Sequence, residues 1–189
     1  VEAAWIAAGR APGLLRNHAS GLHTALDIDD LYMAMRQEAK KSNPAGIAKP
    51  IIATDHDARA IEAARKNAMT AGVEHLIDFE CCEFEESYIP DEPGHVILNP
   101  EYGLRLGEMD GLRPVYKGIG DFFKQQCKGW TGHVFTGSKE LTNEIGLKPS
   151  ARQVFFNSQI ECRMLTYQLY EGTRKNSHAD EPSVNLDAR

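Results

Sequence analysis

The chain has 189 residues, of which 42% are hydrophobic and 25% charged, a composition that excludes disorder as the main state and suits one ordinary domain. No apolar run approaches the roughly 18 to 20 residues that cross a bilayer, and the candidates Val96 to Leu98 and Val154 to Phe156 are strand-sized, so no membrane role is expected. The net charge of −6 is uneven: residues 1–102 carry 9 basic and 17 acidic side chains, and residues 103–189 carry 12 and 10. A basic footprint for non-specific nucleic-acid binding is therefore lacking, and any RNA contact must be local or assisted by another module. Cys81, Cys82, Cys127 and Cys162 show no CxxC or Cys/His metal spacing, which predicts buried, reduced thiols, a cytoplasmic setting and no metal.

In chain order, Val1 to Ala8 reads as the end of a helix, followed by an irregular stretch with Pro12, Gly13 and Gly21. Asp29 to Lys41 is a second helix with Leu31, Met35 and Ala39 at helical spacing, broken by Asn43-Pro44-Ala45-Gly46. Ile51 to Thr54 is a short buried-type strand ending in Asp55. Asp57 is placed to cap a helix over 58–71, with Ile61, Ala64, Ala68 and Ala71 on one face and Gly72 at its close. Leu76 to Cys81 reads as a strand interrupted by Asp78 and Glu80, and His95 to Leu98 as a buried strand stopping at Asn99-Pro100. A helix from about Leu112 or Val115 to Lys128, a strand over 132–136 and a short helix over 139–145 behind Ser138 come next. Ala151 to Phe156 and Ile160 to Leu169 form a hairpin around Asn157-Ser158-Gln159, and from residue 173 the composition turns polar, as in a disordered tail.

Alternation of strands and helices up to residue 145, then an antiparallel pair, predicts an α/β fold: a mostly parallel, doubly wound sheet with one reversed strand near its edge. Ligands of such sheets sit beyond the carboxyl ends of the strands. Two strand ends here carry chemistry. At the first, Asp55 is placed to accept from both hydroxyls of a ribose, although Asp55 and Asp57 could instead compete to cap the following helix. His56 is a polar neighbour of that site or a surface residue. Glu83 and Phe84, after the next strand, offer an acceptor and an aromatic face suited to a purine, or belong to a solvated acidic loop.

At the second strand end, Asn99 and Pro100 can accept the two hydrogens of a planar exocyclic amine through the Asn99 side-chain oxygen and the Pro100 carbonyl, while Tyr102 stacks on the ring. An aromatic amine is a poor nucleophile because its lone pair is delocalised. Accepting both hydrogens favours the positive charge that builds on nitrogen as it attacks a methyl donor, so no strong base is needed.

Through Glu2-Ala3-Ala4, Arg10 to Leu14, Thr54 to Ala58, Asn67-Ala68, Ala71-Gly72-Val73, Asn99-Pro100-Glu101-Tyr102-Gly103, Arg105-Leu106-Gly107 and the hairpin Phe155 to Arg163, the chain resembles the catalytic domain of the bacterial 23S ribosomal RNA (guanine-N2)-methyltransferases. The resemblance implies a Rossmann-like class I methyltransferase domain over 1–172, with S-adenosylmethionine as cofactor and ribosomal RNA as partner, helped by an upstream RNA-binding THUMP domain. It implies Asp55 as the ribose acid, Glu83 near the adenine, and Asn99, Pro100 and Tyr102 as the amine site. It also implies a first strand and glycine-rich loop before Val1, in the middle of the sheet between the Asp55 and Asn99 strands; the chain is expected to lack this element. Position 101 is Glu where the family pattern has a second proline, which removes backbone stiffness but keeps the Pro100 carbonyl. Other readings of the amine site are methylation of DNA adenine, of cytosine or of a protein glutamine, or a truncated, non-catalytic interaction module.

Overall fold

The structure is a computed structural model; it describes residues 1–11, 29–41, 47, 49, 51–102 and 109–170. The expectations for Pro12 to Leu14, for residues 103 and 105–107 and for the polar tail lie outside the described residues. The chain divides into two compact units, Val1–Tyr88 and Ile89–Arg189.

The first unit holds α1 (Glu2–Ala7), α2 (Asp29–Lys41), β1 (Ile51–Asp55), α3 (Ala58–Thr70) and β2 (Ile77–Cys81), with 3₁₀ turns over Glu74–Leu76 and Phe84–Glu86. Its core is built from small side chains: Ala4, Ala68, Ala71, Val73 and Ile77 are buried, with Trp5, Ile51, Ala53 and Phe79 packed against them. Alanine at these positions lets α1 and α3 approach the strands closely. The end of α3 is closed from outside: the Ala71 carbonyl accepts from the Trp5 indole at 3.2 Å and from the Arg10 guanidinium at 2.7 Å, and Gly72 takes the left-handed conformation at φ 71°. These two donors satisfy an orphan carbonyl and fix α1 to α3. The interruption by Asp78 and Glu80 does not break β2. Both are exposed, while Ile77 is buried and Phe79 half-buried beneath the Arg65 guanidinium, the alternation of a strand with one covered face. In α2, by contrast, Leu31 and Met35 are exposed, so the helical spacing read there does not describe a buried stripe among the described residues.

The second unit holds β3 (His95–Leu98), α4 (Met109–Gln125), β4 (Thr131–Thr136), a 3₁₀ helix over Leu141–Ile145, β5 (Ala151–Asn157) and β6 (Ile160–Gln168). Its sheet runs β3-β4-β6-β5, with β3 and β4 parallel and β6 antiparallel to both neighbours. Gly132, Val134 and Thr136 of β4 are buried with Leu165 and Tyr167 of β6 and with Tyr116, Ile119, Phe122 and Phe123 of α4. Two glycines set the spacing: a Cβ on Gly132 would lie 2.7 Å from the Phe123 ring, and one on Gly120 would lie 1.9 Å from the Ile145 carbonyl. α4 begins at Met109, earlier than its sequence suggested, because Pro114 is accommodated inside it. Arg113, beside that proline, binds Asp110 on its own helix and reaches Glu140 and Glu144 on the 3₁₀ segment. The short helix expected over 139–145 is this 3₁₀ turn, and the Leu141 N–H donates to the Ser138 hydroxyl at 3.2 Å as the cap reading required.

The strands therefore form two sheets, β1-β2 and β3-β4-β6-β5, rather than one continuous ladder. β1 pairs only with β2, and β3 only with β4, so each carries a free edge among the described residues.

Candidate active site

In the first unit the candidate residues gather at the carboxyl ends of β1 and β2. The parallel register sets Asp55 beside Cys81, and the Cys82 N–H continues the ladder onto the Asp55 carbonyl at 3.1 Å. That one bond brings the Glu83-Phe84 loop to the Asp55 strand end. The loop is held from below by the Thr54 and Ser87 hydroxyls, 2.8 Å apart, with the Cys82 thiol 3.9 Å from Ser87; Cys82 is half-buried and Cys81 exposed, so only Cys127 and Cys162 are the buried thiols expected.

The rivalry between Asp55 and Asp57 resolves into a division of labour. Asp57 caps α3, accepting from the Arg59 N–H at 2.8 Å, and the Arg59 side chain on the same carboxylate holds its pKa below the ordinary value. Asp55 accepts the Asp57 N–H at 2.8 Å through Oδ1, and the His56 imidazole stands 3.9 Å from that same oxygen. Neither contact falls on Oδ2, and the side chain is about half exposed, so the carboxylate is fixed in direction yet open on one oxygen. His56 is largely exposed beside it. Glu83 stands at the N-cap of the 3₁₀ turn without making a side-chain capping bond, which leaves its carboxylate out of local structure.

In the second unit, Asn99 follows β3 and is exposed, Pro100 is half-buried, Glu101 is exposed and Tyr102 is half-buried. The Tyr102 ring is placed by the end of β4: a Cβ on Gly137 would meet its Cδ2 at 2.9 Å and its Cε2 at 3.0 Å, with Ile160 Cγ2 at 3.3 Å. Only a residue without a side chain leaves room for the ring here. Beneath this contact Thr136 is buried; its hydroxyl lies 2.6 Å from the Tyr116 hydroxyl and accepts the Ser138 N–H at 3.1 Å. Burial raises the Tyr116 pKa, so the phenol stays protonated and available to this bond.

A cavity of about 460 Å³ opens beside the ring, lined by Tyr102, Met109, Gly137, Ser138, Lys139, Glu140, Ile160 and Glu161. It is an open groove rather than an enclosed pocket. Sequence reasoning found Tyr102 but assigned no role to Gly137, Lys139, Ile160 or Glu161. The available signal was the specific Asn157 to Arg163 hairpin pattern, whose residues 160 and 161 form a wall of this cavity. Glu161 Oε1 accepts from Arg163 at 3.0 Å and lies 3.5 Å from the Lys139 ammonium, and the two cations hold its pKa below the usual carboxylate range.

Among the described residues no group of three or more His, Cys, Asp or Glu side chains converges as metal ligands, and no helix is long and apolar enough to cross a membrane.

Residues 1–166 match the family model UPF0020, RMKL-like methyltransferase domain. The chain is 35% identical over 192 aligned positions to the ribosomal RNA large subunit methyltransferase K/L of Syntrophotalea carbinolica, covering 98% of this chain and 27% of that relative. It thus spans about a quarter of the length of that curated relative. Among solved structures it resembles SMU.472, crystallised as a complex with SAH (TM-score 0.78, 26% identity, 91% of this chain and 45% of that one). It also resembles a predicted N6-adenine-specific DNA methylase of Listeria monocytogenes (TM-score 0.70, 28% identity, 89% of this chain and 43% of that one). Both establish the α/β methyltransferase architecture for a chain whose own strand order, taken unit by unit, is described above.

Proposed function

Because the chain belongs to the UPF0020 family of RMKL-like methyltransferase domains, we propose that it serves methyl transfer from S-adenosylmethionine to the exocyclic N2 amine of a guanine in large-subunit ribosomal RNA. The observation that carries this reading is the segment Asn99 to Tyr102 at the carboxyl end of β3, with its aromatic ring packed on Gly137 beside an open groove.

The residues divide the work. Asp55 suits a ribose diol, since its Oδ1 is occupied locally while Oδ2 is left open, and Glu83 and Phe84 at the same strand end suit the adenine. When bound, S-adenosylmethionine supplies a methyl group made electrophilic by the sulfonium. Asn99 and the Pro100 carbonyl accept the amine hydrogens, which orients the nitrogen lone pair and stabilises the positive charge developing there. Tyr102 stacks on an unpaired or extruded base, as single-stranded RNA recognition favours. The reading extends to domain limits of 1–172, a polar tail beyond, and a cytoplasmic ribosomal target. With a net charge of −6, the chain leaves most RNA affinity to a separate binding module upstream, which the greater length of the K/L relative accommodates.

The name of the Listeria relative favours a second reading, methylation of the N6 amine of adenine in DNA. Transfer of labelled methyl from S-adenosylmethionine to undermethylated large-subunit ribosomal RNA and to duplex DNA separates the two. Label in RNA alone is expected; label in DNA alone refutes the guanine reading. A folded protein without calorimetric affinity for S-adenosylmethionine refutes both and leaves an interaction module.

A further inference from the structure

Guanine and adenine present their amines in different company. In guanine the N2 amine is flanked by N1–H, a donor, whereas in adenine the N6 amine is flanked by N1 as a bare acceptor. An amine site built only from Asn99, Pro100 and a stacking ring cannot tell the two apart, since both bases offer two amine hydrogens and a flat face. Discrimination needs a group in the cavity that reads the neighbouring ring nitrogen.

The lining of the groove that Tyr102 shares carries such a group. We propose that Glu161 selects guanine as the target base, its Oε2 accepting the guanine N1–H while repelling the lone pair of an adenine N1. This assignment rests on the methyl-transfer reading of Asn99 to Tyr102. Four observations support it. Glu161 and its neighbour Ile160 both line the cavity, and Ile160 Cγ2 and the Tyr102 ring approach the same Gly137 position, which ties the acid to the stacking wall. The contacts from Arg163 and Lys139 both fall on Oε1, so the carboxylate is oriented by cations on one oxygen and offers the other. The same cations keep the group ionised at neutral pH, and an ionised carboxylate only accepts hydrogen bonds. The second acid of the cavity, Glu140, is bound to Arg113, which also grips Asp110 and Glu144 and draws it toward α4.

The test compares guanine with 2-aminopurine, which keeps the amine but lacks both N1–H and O6, so the change of preference in Glu161 variants carries the test. Single-turnover methyl transfer by the full-length protein would be measured on single-stranded RNAs carrying either base at the target position. The parent protein should favour guanine roughly 10- to 100-fold, the range of one hydrogen bond to a charged group. Glu161→Ala should lower the guanine rate to the 2-aminopurine rate while leaving the latter within about threefold. Glu161→Gln, which retains a neutral acceptor and the side-chain volume, should show an intermediate preference and serves if the alanine variant does not fold. Equal use of both bases by the parent protein overturns the proposal, as does an equal fall on both bases in Glu161→Ala, the result of a purely structural role. A preference lost in Glu140→Ala but kept in Glu161→Ala overturns the assignment of the residue. No transfer to either base overturns the methyl-transfer reading beneath it.

Discussion

The two strand ends that carry the candidate site are built on opposite plans. At the end of β1 and β2, each placement is made by near neighbours: Asp57 is held by Arg59, Asp55 by the Asp57 N–H, and the core behind them is largely alanine. At the end of β3 and β4, Tyr102 is placed by Gly137 and Ile160, and the buried Thr136-Tyr116 pair stands behind them with α4. The first arrangement orients exposed carboxylates and tolerates small adjustments. The second is a packed surface, in which one added methyl group moves a ring.

That contrast can be broken at four points. The largest effect is expected for Asn99→Ala: loss of one acceptor at a developing charge should cost about 10² to 10³ in the rate of transfer, with cofactor affinity nearly unchanged by calorimetry. Equal loss of both would make Asn99 a structural residue. Next, Gly120→Ala should lower the stability of the second unit by on the order of 3 kcal/mol in denaturant titration, because backbone at Ile145 and not a flexible side chain blocks the new Cβ. A change below about 0.5 kcal/mol would show that the α4 contact yields easily. On the locally built side, Asp55→Ala should weaken cofactor binding about tenfold, the scale of one charged hydrogen bond, without altering the melting temperature. A large fall in melting temperature would instead place Asp55 among the caps.

The smallest effect concerns His133. Its ring lies 3.0 Å from His95 and 3.2 Å from the Thr166 hydroxyl, and burial, followed by the nearby His95, lowers its pKa below the ordinary value. With the folded pKa depressed, the unfolded chain binds the proton more readily. Stability present above about pH 6.5 is therefore lost as pH falls toward the folded value. His133→Gln should show a smaller drop in melting temperature between pH 7.5 and 5.5 than the parent protein; an equal drop would remove His133 from the acid response.

What could be read in the sequence follows the same division. The Asp57 cap, the Gly72 stop, the four-residue strand ahead of Asn99 and the hairpin around Asn157-Ser158-Gln159 all depend on residues a few positions apart, and each is where local chemistry put it, although the strand read as buried has His95 and Ile97 exposed. The α4 start was misplaced because Pro114 reads as a boundary, while Arg113 anchors the helix across it to Asp110 and to the 3₁₀ segment. The cavity was not legible: Tyr102, Gly137 and Ile160 meet only through the order of strands, and no spacing rule announces that a glycine after β4 makes room for an aromatic ring after β3. The exposed stripe of α2 teaches the converse, that helical spacing describes a helix but not its burial.

The position of β6 has a consequence for how the protein is made. Among the described strands it comes last, yet it lies between β4 and β5 rather than at the margin, so β5 has no partner until it joins. A nascent chain that has not yet released β6 holds β5 without a partner and lacks the Ile160 and Glu161 lining of the groove. The β5-β6 hairpin closes locally through its two-residue turn, and its docking onto β4 is the non-local pairing of the second unit. The groove that would receive a base is therefore completed when that hairpin docks, not when Tyr102 and Gly137 are made.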